Sequence, residues 1–175
     1  MFKTFIAVML FSGCLLATCK GALPVRHWSY PITISVDASA DVYSSDIVAA
    51  VSVWNKVAPL INVTNVSSDS ISFMSKWDGT TFQMAYTAIS SLFGIINRHS
   101  IRFNNSFMFF SGARSKQFGL ISFRSVMLHE LGHALGLDHN PNKDSVMYAY
   151  LNTDEVKLTL SKEDVTAIKC IYPVK

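Results

Sequence analysis

The chain has 175 residues, of which half are hydrophobic and 15% are charged, and its formal net charge is +3. This length predicts a single domain that is large enough to bury a hydrophobic core. The charge is too small to indicate nucleic acid or an acidic membrane as a partner.

The first residues have the composition of a secretory signal peptide. Lys3 precedes an apolar run from Phe5 to Leu16, which small residues follow. We expect a signal peptide over residues 1–19, cut after Cys19 or at another bond between residues 17 and 21. The apolar run is too short for a transmembrane helix, so we expect a secreted, extracellular protein without stable membrane insertion.

The first half of the remaining chain predicts one helix among short strands. Alternating apolar residues from Tyr30 to Val36 predict the first strand. A helix follows, capped by Ser44 or Ser45 and ended by Pro59. Its apolar face consists of Ile47, Ala50, Val51, Trp54 and Val57. Further strands are predicted around Ile61 and Val63, around Ile71 and Phe73, over Thr81–Tyr86 and over Ile95–Phe103.

The second half predicts two helices after an aromatic run. Phe107–Phe110 favours a strand or loop packed under the sheet, with a substrate-contacting patch as the alternative. Residues 111–117 are polar and predict a surface loop. An apolar helix follows from about Ser122 to Leu135, and Ser161 caps a final helix with Asp164 three residues on. This order of elements predicts an α+β fold with a mixed sheet.

One stretch of the long predicted helix indicates metal chemistry. His129 and His133 are four residues apart, so both imidazoles lie on one helix face and reach a single metal ion. Gly136 can adopt a left-handed conformation that ends the helix and turns His139 back toward that ion. A tetrahedral zinc with three protein ligands keeps one position for water, and Glu130 is placed to take a proton from it. This spacing disfavours the alternative of three core histidines and an ion-paired glutamate.

The stretch His129-Glu130-Leu131-Gly132-His133 with Gly136 and His139 resembles the metzincin metalloproteases. Ser145–Tyr148 is similar to the Met-turn of that family. Three more segments resemble the matrixin branch, or matrix metalloproteinase catalytic domain family, namely Trp28–Thr33, Val53–Leu60 and Leu160–Pro173. The resemblance implies a metzincin-like catalytic domain, with a mixed twisted sheet, an active-site helix and a C-terminal helix. We expect this domain over residues 28–175, after a short segment 20–27 without a recognisable propeptide.

The resemblance also implies the roles of the site residues. His129, His133 and His139 would hold one catalytic Zn²⁺, Glu130 would act as general base and then acid, and Met147 would form a hydrophobic floor. Ca²⁺ is possible in this family but is unsupported here by clustered carboxylates. A structural zinc at His99 is disfavoured, because a single histidine cannot close a four-coordinate site.

The substrate pocket is the least defined part of this prediction. The family's pocket is partly closed by the residue four before the first zinc histidine, which is Ser125, and a small residue there implies a deep pocket. Tyr150 would form its outer wall, although Ala149 stands where the family has proline. The strand before the active-site helix, about Asn97–Asn104, would pair with the peptide substrate.

Two features are left open by the sequence. Cleavage after Cys19 leaves Cys170 alone, whereas cleavage after Ala17 leaves a cysteine that could form a disulfide with Cys170 or block the zinc. Sequons at Asn62, Asn65 and Asn104 predict a glycoprotein only if they are used.

We interpret the sequence as that of a secreted zinc-dependent metalloendopeptidase that hydrolyses peptide bonds through zinc-activated water. We expect a monomer with protein or peptide substrates, no nucleic-acid partner and an extracellular-matrix setting. The alternative is a secreted metzincin-fold binding protein with little or no turnover. A zinc aminopeptidase of another clan would have a glutamate as its third ligand, so His139 and Met147 argue against it.

Overall fold

The structure is a computed structural model that describes residues 27–29, 31–64, 69–74, 76–77, 83–112, 119–153 and 155–173. The strands are β1 (Ile32–Val36), β2 (Ile61–Thr64), β3 (Ser70–Met74), β4 (Ala85–Leu92), β5 (Ile95–Asn104), β6 (Phe109–Phe110) and β7 (Ile121–Ser122). The α-helices are α1 (Ser44–Asn55), α2 (Phe123–Ala134) and α3 (Lys162–Ile171), and a 3-10 helix spans Ala38–Tyr43. The predicted α+β class with a mixed sheet is confirmed.

The main sheet has five strands in the order β2-β1-β3-β5-β4. All neighbours run parallel except β4, which pairs antiparallel with β5 from Ala85↔Phe103 to Leu92↔Ile95. β5 is therefore hydrogen-bonded on both sides, whereas β4 lies at an edge of the sheet. The short strands β6 and β7 form a separate parallel pair directly before α2.

The core lies between one face of the sheet and the helices α1 and α2. Ile34, Ile71 and Ile101 on neighbouring strands are fully buried in it. Two buried indoles bind carbonyls of α2: the Trp54 N–H donates to Leu128 O at 2.9 Å, and the Trp28 N–H donates to Ala134 O at 2.8 Å. These bonds satisfy both polar groups in the interior and fix the position of α2.

The aromatic run packs under the sheet, as its composition favours. Phe109 contacts Phe73, Phe103 and Phe123 edge-on, with ring centroids 5.7 to 6.0 Å apart. Phe110 is buried, while Met108, directly before Phe109, is exposed. Residues 113–117 of the predicted surface loop lie outside the described residues, and so does Asp78-Gly79, a dipeptide typical of a turn.

Two local predictions are wrong. Neither Ser44 nor Ser45 caps α1, because the 3-10 helix continues directly into it and the Ser44 hydroxyl instead donates to Asp41 O. The strand predicted over Thr81–Tyr86 begins only at Ala85 and runs to Leu92. Apolar and polar residues alternate only weakly in this part of the sequence, so the pairing with β5 decides the register of this strand.

The C-terminal helix begins as predicted, since Ser161 and Asp164 form a reciprocal capping box. Cys170 in this helix takes part in a disulfide. The other cysteines of the chain, Cys14 and Cys19, lie outside the described residues. Within the part of the chain that the structure describes, no helix is long and apolar enough to cross a membrane.

Candidate active site

The three histidines are positioned by helix α2 and the turn that ends it. Gly136 has φ of +96°, and its N–H donates to His133 O at 2.8 Å. The Leu137 N–H donates to Gly132 O at 2.9 Å, so the helix ends in a Schellman motif. The predicted role of Gly136 is confirmed: the chain reverses there and brings His139 back to the helix face.

The three imidazoles converge through their Nε2 atoms. His133 Nε2 lies 3.1 Å from His129 Nε2 and 3.3 Å from His139 Nε2, and one nitrogen from each of the three lies within 4.8 Å of the others. Nitrogens bound to one tetrahedral zinc at 2.0–2.1 Å are roughly 3.3–3.4 Å apart. Among the residues that the structure describes, this is the only group of three or more side chains able to hold a metal ion.

Backbone carbonyls fix the tautomer of two of these rings. The Nδ1 atoms of His129 and His133 lie 2.7 Å from the carbonyl oxygens of Val146 and Leu137. A carbonyl only accepts, so each Nδ1 carries the hydrogen and each Nε2 has a lone pair. Facing lone pairs repel unless a cation lies between them, and the donor set therefore fits a zinc ion.

Burial keeps the ring of His129 neutral. It lowers the pKa of His129 to about 3, and the neighbouring His133 adds to this effect. Burial likewise lowers the pKa of His139, with Asp138 acting in the opposite direction. A neutral imidazole is the form that binds metal, because protonation removes the lone pair.

Glu130 lies beside the first histidine and is 4% exposed. The hydroxyl of Thr87, on β4, is 2.6 Å from Glu130 Oε2 and 3.0 Å from Glu130 O. Burial raises the pKa of Glu130 to about 7, while the hydrogen bond from Thr87 lowers it. No sequence pattern indicates this contact, because the two residues are 43 positions apart.

Met147 is buried against α2 at Gly132. A Cβ atom at position 132 would lie 2.2 Å from Met147 Sδ and 3.1 Å from Trp54 Cζ2. A larger residue at position 132 would therefore require the Met147 side chain to move out of this contact. The thioether lies below the helix turn that separates His129 from His133, which is the place that the Met-turn resemblance implies.

A buried carboxylate holds the Met-turn to the C-terminal helix. Asp164 accepts hydrogen bonds from the Ser145 hydroxyl at 2.5 Å, the Val146 N–H at 3.0 Å and the Ser161 N–H at 2.8 Å. The Val146 carbonyl in turn orients His129. Sequence reasoning identified Asp164 only as a capping residue and missed its link to the metal site.

A cavity of about 1070 Å³ runs between edge strand β4 and the metal site, and its lining includes Glu130 and all three histidines. Residues 83–87 and Ile89 form one side. The prediction that Asn97–Asn104 pairs with substrate is wrong, because β5 is already bonded to β3 and β4. The strand that lies along the cavity is β4, the outermost strand of the described sheet.

Ser125 and Tyr150, the two predicted pocket residues, both line this cavity. Ser125 is buried, its hydroxyl lies 2.9 Å from Ser122 Oγ, and it accepts the Lys157 N–H at 2.8 Å. Tyr150 is 71% exposed at the rim. Lys157, which sequence reasoning missed, adds an ammonium that donates to the carbonyls of residues 143 and 145 and lies 4.9 Å from the Tyr148 ring.

Two other predicted positions serve the fold. His99 is buried edge-on to Trp28, with Nδ1 3.3 Å from Asp69 Oδ2. Burial lowers the pKa of His99 despite this carboxylate. Asn104 is also buried, with its amide donating to Gln83 O, so a glycan at this sequon is incompatible with the fold. Asn62 is exposed on β2, and Asn65 lies outside the described residues.

The fold and the histidine site together have the arrangement of a metzincin catalytic domain. Residues 26–173 match the family model described as Matrixin. The chain therefore belongs to the matrixin family, which is a family of metalloendopeptidases, and the family resemblance is confirmed.

Individual relatives are similar at low identity. Stromelysin-1 of Equus caballus is 28% identical over 153 residues, which covers 83% of this chain and 32% of that protein. Matrix metalloproteinase-26 of Homo sapiens is 30% identical over 174 residues, covering 89% of this chain and 59% of that protein. A probable matrix metalloproteinase of Invertebrate iridescent virus 3 is 44% identical over 54 residues. The chain thus spans about one third to three fifths of the length of the two relatives that it matches over most of its own length.

Proposed function

We propose that the chain is a secreted, zinc-dependent metalloendopeptidase that hydrolyses peptide bonds with Glu130 as general base. The observation that carries this proposal is the convergence of three imidazoles beside a buried carboxylate, within one cavity along the outermost strand of the sheet. Membership of the matrixin family supports it.

His129, His133 and His139 would hold the ion through Nε2. A zinc ion bound there supplies a Lewis acid that polarises the scissile carbonyl and makes water nucleophilic near neutral pH. The carbonyls of Val146 and Leu137 keep two of the rings in the ligating tautomer. This arrangement presents three ligands from one side and leaves the cavity side for substrate.

Glu130 would accept a proton from the attacking water and then deliver it to the departing amine. Its burial favours a proton acceptor that titrates near neutral pH. The Thr87 hydroxyl holds one carboxylate oxygen and thereby limits rotation of the side chain. The other oxygen is the one available to the reaction.

The substrate would lie along β4 as an added strand. Among the described residues β4 is the outermost strand of the sheet, residues 85–87 and Ile89 line the cavity, and an extended peptide would pair with the outer side of this strand. Side-chain selection would take place in the part of the cavity lined by Ser125, Val126 and Tyr148. We expect Ser125→Leu to shift cleavage toward smaller side chains.

The test compares the secreted protein with its Glu130→Ala variant. Bound zinc is quantified for each, and each is incubated with a peptide library with and without chelator. Glu163→Gln serves as the control, because this carboxylate lies on α3 away from the cavity. We expect cleavage by the wild type and the control, loss of cleavage with chelator, and zinc retained in the inactive Glu130→Ala.

Two outcomes would contradict the proposal. Zinc bound in every variant without cleavage by any of them would favour the binding-protein alternative. A wild type that binds no zinc would refute the metal site itself. The N-terminal residue of the secreted protein, read in the same preparation, tests the predicted cut between residues 17 and 21.

A further inference from the structure

The hairpin between β4 and β5 ends in an apolar tip, which we define as residues 92–95. Leu92 is 61% exposed, Phe93 is 94% exposed and Ile95 is 39% exposed. Large apolar side chains that adjoin one another in water are unusual on a small domain and mark a contact surface.

The backbone of this tip is also costly for an aromatic residue. Phe93 has φ of +50° and Gly94 has φ of +80°, the signs that a type I′ hairpin turn requires. Asn-Gly and Asp-Gly are favoured in such turns, whereas a bulky residue at positive φ is an outlier. Phe93 is the only non-glycine residue with positive φ in the part of the chain that the structure describes. The Phe93 ring is almost fully exposed, so packing within the domain does not offset the cost of this backbone conformation. A contact of the ring with a partner outside the domain would explain the residue.

The tip is held rigidly despite its exposure. Leu92 pairs with Ile95 at the end of the β4–β5 ladder. The N-terminal segment adds a bridge, in which the His27 N–H donates to Gly94 O at 3.0 Å and the Ile96 N–H donates to His27 O at 2.7 Å. A fixed tip loses little conformational entropy when it binds a partner.

The charge of the hairpin identifies the kind of partner. Residues 85–104 contain two arginines and no aspartate or glutamate. Arg98 is exposed and pairs with Ser90, three residues before Phe93. An apolar tip with flanking cationic charge is complementary to the surface of an anionic bilayer, where aromatic and aliphatic side chains enter the interface and arginine meets the headgroups.

We propose that residues 92–95 dock the protein onto anionic phospholipid membranes, with Phe93 and Leu92 in the interfacial layer and Arg98 at the headgroups. The convex two-residue turn fits a deformable lipid layer and needs no matching pocket. The small net charge of the chain does not indicate this membrane contact, because the apolar side chains of the tip supply most of the binding free energy. Contact through so few side chains is reversible.

Docking in this way would hold the metal site close to the membrane. Ile89 lines the active-site cavity and lies three residues before Leu92. At about 3.3 Å per residue along a strand, the two positions are roughly 10 Å apart. Substrates at a cell surface would thus be presented to the cavity at a raised local concentration.

The experiment measures binding of the zinc-loaded protein to phosphatidylcholine vesicles with and without phosphatidylserine. Phe93→Asn removes the ring and creates the favoured Asn-Gly turn, so it should fold at least as well as the wild type. The matched control is Val42→Asn, because Val42 is 75% exposed on the 3-10 helix. We expect binding to the serine-containing vesicles by wild type and control, and about tenfold weaker binding by Phe93→Asn.

A second set of variants separates the two contributions. Arg98→Gln should reduce the preference for anionic over neutral vesicles while the folded state is unchanged. Phe93→Trp should show a blue-shifted emission on adding vesicles, because the indole enters the interface. Since binding is read without turnover, its result is independent of whether the protein proves to be a protease.

Three results would overturn the proposal. The wild type does not bind either vesicle, Phe93→Asn binds as tightly as the wild type, or Phe93→Asn converts a dimer to a monomer without vesicle binding. The last result would assign the tip to a second copy of the chain.

Discussion

Removal of the Thr87 hydroxyl should shift the acid limb of the activity profile. The hydroxyl has a single proton, and the shorter of its two contacts is the 2.6 Å one to Glu130 Oε2. Donation to a carboxylate stabilises the ionised form, so this bond lowers the pKa of Glu130. Thr87→Val has nearly the same shape and suits a strand, yet it cannot donate.

The size of the shift follows from the strength of such a bond. A hydrogen bond to a charged group contributes about 1.5–3 kcal/mol, and one pH unit corresponds to about 1.4 kcal/mol. A general base must be ionised, so kcat/KM falls as the pH drops through its pKa. We therefore expect the acid limb of kcat/KM in Thr87→Val to move upward by roughly one to two pH units. Bound zinc shifts the pKa of Glu130 in the wild type and in Thr87→Val alike. The difference between the two pH profiles therefore measures the contribution of the Thr87 hydroxyl.

Thr87→Ser is the control, because it keeps the donor and should keep the wild-type profile. The assay is kcat/KM against pH for one cleaved peptide, with bound zinc measured at each pH. A shift toward lower pH in Thr87→Val would refute the reasoning. It would mean that a protonated Glu130 donates to Thr87, whose own proton then goes to the Glu130 carbonyl.

Three substitutions test the packing around the site. Gly132→Ala should destabilise the protein by about 1–3 kcal/mol in thermal unfolding and weaken zinc binding, whereas a gain of about 1 kcal/mol from helix propensity would contradict the proposed crowding. Asp164→Ala leaves buried donors without an acceptor and should cost about 3 kcal/mol in urea unfolding, while the exposed Asp144→Ala should change stability by less than about 0.5 kcal/mol. Asp46 is fully buried and is bonded to the Arg124 guanidinium at 2.7 Å. The change Asp46→Ala should lower the free energy of unfolding by about 3 kcal/mol. Arg124→Met should then recover part of that loss, and a purely additive double variant would show that the pair is not coupled.

The convergence of the three histidines could be predicted because its geometry is local. Two histidines on one helix face and a glycine that reverses the chain bring three candidate ligands together within eleven residues. The aromatic run was equally informative, since Phe109 had little alternative to the core. In both cases the short-range geometry of the chain and the tendency of apolar side chains to be buried favour the same structure.

The errors concern positions decided by the rest of the fold. The start of α1 depends on the 3-10 helix that continues into it, and Asp37 caps that earlier helix instead. The substrate-pairing strand was misassigned because strand order in a sheet is not encoded in local alternation. Thr87 and Asp164 had no signal as parts of the site, because their partners lie up to 43 positions away.

The peptide groups around Val146 link two distant processes. The Val146 N–H donates to Asp164 of α3, and the Val146 carbonyl accepts from the ring of His129, one of the three proposed zinc ligands. Zinc binding at the histidines and packing of α3 would therefore be thermodynamically coupled. By reciprocity, each would increase the stability of the other. Amides of α3 should exchange with solvent more slowly in the zinc-loaded protein, although none of them touches the ion. The C-terminal helix thus acts as a remote reporter of metal occupancy.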